Sequence, residues 1–170
     1  MGQKSKIKKQ LCKFIFYRSH SYQKYYAENV TQIMTHRKFN QSKPTVMYIF
    51  GWTRDPTDST SIMITNAYLE RGDYNLLILD WSDYNLGPYS TVMENSCKIS
   101  RIYGRVLMKL FDKGLRTESF HCVGHSLGAH FCGIIGRELY HISNKRHKLG
   151  RLDYFKEKIT LDCQELPQIF

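Results

Sequence analysis

Ser126 stands between Gly124 and Gly128 in the stretch Cys122-Val123-Gly124-His125-Ser126-Leu127-Gly128-Ala129-His130, a G-x-S-x-G pattern. A serine hydroxyl attacks an acyl carbon only when a base takes its proton. The pattern serves that chemistry by carrying the serine on a sharp strand-to-helix turn, which needs residues without bulk two places before and two after it. Gly124 and Gly128 meet that need and define the elbow. The amide of Leu127 then lies at a helix N-terminus, aimed where an oxyanion would develop. A glycine-rich turn that merely contains a serine is the competing reading, because short patterns recur by chance. His125 and His130 beside the serine are read as packing or hydrogen-bonding near the elbow, not as its base.

An elbow needs a strand before it and a helix after it. Phe120 to Val123 is an apolar run that predicts the strand, and Leu127 to Tyr140 predicts the helix. Gly133 and Gly136 weaken that helix intrinsically; close approach of helix to sheet is the benefit expected of them. Upstream, Lys13 to Ser19 reads as a short strand, residues 20–44 as a polar loop, and Val46 to Phe50 as a strand ending at Gly51. Asp55, Pro56 and Asp58 predict a turn-rich link able to cap a helix near Ser59, which runs over Ile62 to Leu69 and closes at Gly72. Leu76 to Trp81, apolar except for Asp80, suits a parallel strand covered on both faces. From Ser100 to Lys113, Ile102, Tyr103, Val106, Leu107 and Leu110 recur at helical spacing, with Gly114 as the cap. Strands alternating with helices predict an α/β fold, a mainly parallel sheet flanked by helices.

Further segments arrive in a telling order: Thr45-Val46-Met47-Tyr48-Ile49-Phe50-Gly51-Trp52-Thr53, then Leu76-Leu77-Ile78-Leu79-Asp80-Trp81-Ser82, then residues 124–130, then Ile159-Thr160-Leu161-Asp162. In these the chain resembles the pancreatic (neutral) lipase family, most nearly its insect phospholipase A1-like and triacylglycerol lipase-like branch. The resemblance covers roughly residues 13–170. It implies an α/β-hydrolase fold and a serine carboxylic ester hydrolase acting on lipid esters, either triacylglycerol or phospholipid at the sn-1 position, with no metal and no organic cofactor. It assigns Ser126 as nucleophile, Asp162 as triad acid, and the amides of Trp52 and Leu127 as the oxyanion hole. Asp153 is a rival acid, and Asp80 is given a structural role. The chain departs from the family pattern at Phe50, where His is usual, and after Asp162, where Cys163 and Gln164 replace a proline-led turn. The triad in this fold follows the order Ser, acid, His, whereas all seven histidines precede Asp162. The reading therefore expects a domain truncated after its acid-bearing strand, with little activity in residues 1–170. Its alternative is a non-catalytic lipase homologue that binds or stores lipid, of the yolk-protein type.

At 170 residues with 42% hydrophobic and 14% aromatic content, the chain suits a globular fold rather than disorder. We divide it into a basic tail, 1–12, and a partial hydrolase domain, 13–170. The net charge of +10 concentrates in Lys4, Lys6, Lys8, Lys9 and Lys13, and again in Lys145, Arg146, Lys148 and Arg151. Such clusters are read chiefly as solvated, with contact to an anionic lipid interface as a lesser reading and no nucleic-acid partner expected. The five cysteines show no metal spacing, and Cys122 and Cys132 are read as buried thiols. Leu11 to Tyr17 is too short and too interrupted for a secretory signal, although the resemblance implies secretion. Lys6 argues against myristoylation at Gly2.

Overall fold

The computed structural model describes residues 13–18 and 21–155. β1 (Lys13–Arg18) pairs antiparallel with β2 (Ser21–Tyr26) on one side and with β4 (Asn75–Asp80) on the other. β3 (Thr45–Ile49) lies between β4 and β5 (Phe120–His125) and is parallel to both. β6 (Arg151–Phe155) extends the parallel part beyond β5, giving the order β2-β1-β4-β3-β5-β6. Every residue of β3 and β4 is buried, as expected of largely apolar strands in a sheet covered on both faces. An α/β sheet of this kind was legible in the sequence, with β3, β4 and β5 at the predicted places, whereas β6 was not foreseen.

Three helices serve the sheet. α1 (Ser59–Arg71) begins where the Asp58 carboxylate accepts hydrogen bonds from the amides of Thr60 and Ser61, and it stops at Gly72, whose φ of 69° is left-handed. These are the cap residues that start and end a helix by satisfying its orphaned amides and carbonyls. α2 (Tyr89–Asp112) is longer than its periodic segment suggested. Ser96 and Ser100 lie on its buried face and donate back to Met93 O and Ser96 O, so polar residues hide in an apolar stripe. α3 (Leu127–Ile142) packs against α2, with Gly104 seated where a Cβ would come within 3.1 Å of Glu138.

Two expectations are corrected. The polar stretch 20–44 contains β2 and a 3-10 turn, Val30–Thr35, which buries Val30, Ile33 and Met34. Gly133 and Gly136 of α3 are not points of close approach. A Cβ on Gly133 would meet nothing within 4 Å, and one on Gly136 would make only ordinary contact with Leu149.

Candidate active site

β5 ends at His125 and α3 starts at Leu127, leaving Ser126 as the turn between them with φ 53° and ψ −121°. This is a region that residues with a Cβ rarely enter, at a cost of about 1–3 kcal/mol. Its neighbours make the turn possible. A Cβ on Gly124 would fall 2.4 Å from Ala129 Cα, and one on Gly128 would fall 2.1 Å from Ile49 O. Either would push α3 off the sheet. Ser126 itself remains partly exposed at the C-terminal edge of the sheet.

The loop leaving β3 lies against this serine. A Cβ on Gly51 would sit 3.0 Å from Ser126 Cβ and 3.1 Å from His125 O. Phe50 is buried and stacks on Trp81, and its carbonyl accepts a 3.0 Å hydrogen bond from Trp81 Nε1. Trp81 in turn packs on Phe131 of α3. Thr53 takes a left-handed φ of 58°. Trp52 N–H makes no hydrogen bond among the described residues. Leu127 N–H, as the first amide of α3, has no intrahelical acceptor. Leu127 adjoins the serine in the chain, and Trp52 follows the Gly51 that lies against it.

The acids and histidines are distributed differently. Asp80 is buried, accepts from Ser82 N and Ser82 Oγ at 3.1 and 2.6 Å, and so closes a local turn. Asp153 is in register with Val123, below the elbow, and Arg151 binds it at 2.7 Å. The Arg151 guanidinium holds its carboxyl below the usual range. His121 Nε2 lies 3.0 Å from the same carboxylate but without hydrogen-bond alignment. Burial pushes His121 and His130 below the ordinary histidine value. His125 Nδ1 is buried and unpartnered, close to Gly51. No histidine hydrogen-bonds Ser126 Oγ among the described residues. The strand beside β5 is β6, Arg151–Phe155; Asp162 lies outside the described residues.

The cysteine reading needs correction. Cys122, on β5, and Cys132, in α3, are not thiols but form a disulfide with a Cα–Cα distance of 5.8 Å. Both residues are buried, which the apolar context implied. Their separation of ten residues gave no pairing signal, because only the turn folds the helix back onto the strand. Sequence reasoning also passed over Asn85, whose place in a short connecting segment has no pattern.

A strained serine above a mainly parallel sheet, met by a loop from the neighbouring strand, defines an α/β-hydrolase fold with a nucleophile elbow. The sequence profile of the Lipase family matches residues 2–156, and the chain belongs to that family. It is 35% identical to phospholipase A1 member A of Rattus norvegicus over 100 residues, covering 58% of this chain and 22% of that protein. Phospholipase A1 of Dinoponera quadriceps is 27% identical over 114 residues, 61% of this chain and 30% of that one. Lipase member H of Danio rerio is 29% identical over 134 residues, 71% and 27% respectively. The chain thus spans from 22% to 30% of the length of these relatives.

Proposed function

We propose that the protein hydrolyses lipid esters, of the phospholipase A1 or triacylglycerol lipase kind, with Ser126 as nucleophile. The observation that carries this reading is the backbone of Ser126, held at φ 53° on a strand-to-helix turn with the Gly51 loop against it. Serine Oγ attacks the ester carbonyl, the oxyanion settles on Trp52 N–H and Leu127 N–H, and the alcohol leaves to give an acyl-enzyme that water resolves. Asp162 is the proposed orienter of a histidine base. The Cys122–Cys132 disulfide supports maturation in an oxidising, secretory compartment, since such bonds rarely persist in a reducing cytosol.

A second reading is a lipid-binding homologue without turnover. It is favoured by Phe50 in the usual place of histidine and by the absence of a histidine partner to Ser126 among the described residues.

The test is a fluorophosphonate probe with and without added imidazole, beside a short-chain p-nitrophenyl ester. Residues 1–170 are expected to label slowly, and imidazole, standing in for the base, should accelerate labelling. Ser126→Ala should abolish it. Labelling that survives Ser126→Ala, or that imidazole leaves at background, would favour the binding protein. Rapid labelling without imidazole would show that His125 or His130 serves as base.

A further inference from the structure

The loop Phe50–Arg54 has to present the Trp52 amide to the reacting oxygen, yet it carries Phe50 where a histidine would be expected to orient it. Something else holds it. Asn85, in the connection between β4 and α2, is 1% exposed. Its side-chain amide donates to Gly51 O at 3.3 Å and also to Arg54 O. Its own carbonyl accepts the amide of Thr53 at 3.3 Å. Three contacts from one residue thus bracket Trp52 on both sides. They engage neither its N–H nor that of Gly51, and they coincide with the left-handed backbone of Thr53. A β-branched residue at positive φ persists only where its surroundings over-determine it.

We infer that Asn85 is a positioning residue for the oxyanion hole, clamping the β3 loop so that Trp52 N–H faces Ser126. It does not touch the reacting atoms. The Trp81 bond to Phe50 O fixes the start of the same loop, and the adjoining segment Ser82–Tyr84 is a 3-10 turn that ends beside Asn85. The connection after β4 therefore does for the loop what a histidine side chain would otherwise do. A residue without a donor at position 85 leaves Gly51 O with the Arg54 amide alone and removes the side-chain partner of Arg54 O, and the loop loosens. An error of about 1 Å in a reacting group costs about a hundredfold in rate.

This inference rests on the ester-hydrolase reading, and its test separates the two. Asn85→Ala, Asn85→Asp and Asn85→Ser are compared with the unchanged chain by amide hydrogen exchange and by imidazole-supported fluorophosphonate labelling. Aspartate keeps the shape and loses the donor, while serine keeps a single donor. In Asn85→Ala, exchange over residues 50–54 should quicken by about tenfold or more with residues 120–132 unchanged, as expected when a local opening replaces a global one. The maximal labelling rate should fall by about thirtyfold to a hundredfold while the half-saturating probe concentration stays within about twofold, the signature of a transition-state contact. Asn85→Asp should match alanine, and Asn85→Ser should recover part of the rate. Unchanged exchange at 50–54, a uniform rise across the sheet, or a maximal rate that stays at the parent value would each overturn the inference. If the unchanged chain shows no Ser126-dependent labelling, the hydrolase reading fails, and the exchange arm alone still decides whether Asn85 holds the loop.

Discussion

Gly128 and Gly133 lie in the same helix and make opposite demands. At Gly128 a methyl group would overlap the carbonyl of Ile49, 2.1 Å away. That contact is backbone on backbone and has no side chain to yield. Gly128→Ala should therefore cost more than about 3 kcal/mol, a large share of ordinary domain stability, and appear as loss of soluble protein. At Gly133 nothing lies within 4 Å, so Gly133→Ala gains helix propensity without collision. It should stabilise by about 1 kcal/mol and raise the melting temperature by roughly 2–4 °C. Thermal melts of the pair check both. The sequence revealed Gly128 because the chemistry of an elbow specifies it. It misled at Gly133, because a helical glycine looks the same whether it faces a strand or the solvent.

At the scale of elements, the seam between β5, α3 and β6 sets two measurable properties. The Cys122–Cys132 bridge closes a loop of ten residues' separation around Ser126. Constraining the unfolded chain in that way stabilises by about 3 kcal/mol, comparable with the strain of about 1–3 kcal/mol that Ser126 carries. Replacing both cysteines with alanine should lower the melting temperature by roughly 6–12 °C. The second property is pH dependence. Burial lowers His121 and His130, so as pH falls through about 6.5 the unfolded chain takes up their protons first and stability declines. The melting temperature should drop between about pH 7.5 and pH 5.5, and His121→Gln should flatten part of that slope. Asp153, held low by Arg151, adds its own loss only in more acid solution, below the ordinary aspartate range. Elements with one apolar period were plain in the sequence, such as β4 and the C-terminal half of α2. Those that were missed follow other rules. β2 exposes most of its residues as an edge strand, and the first half of α2 buries serines that bond to their own helix. The elbow was legible from four small residues, whereas the clamp at Asn85 depends on a chance of three-dimensional proximity that no spacing records.

For the molecule as a whole, the strand order β2-β1-β4-β3-β5-β6 has a consequence in time. β3 is completed at Ile49, but its second neighbour, β5, begins only at Phe120, and the crosslink needs Cys132. At ordinary ribosomal speeds of about 5–20 residues per second, roughly 4–16 s separate Phe50 from Cys132. From the completion of β4 at Asp80 until β5 emerges, one edge of the wholly buried strand β3 stands open beside the β1–β4 surface. A nascent chain arrested near residue 118 should therefore be protease-sensitive through residues 45–80 and cross-link readily to holdase chaperones. One released after residue 155 should be resistant there. The interior position of β3 should make this protein a client of the folding machinery during its own synthesis, because the elbow can assemble only after β5 and α3 have emerged.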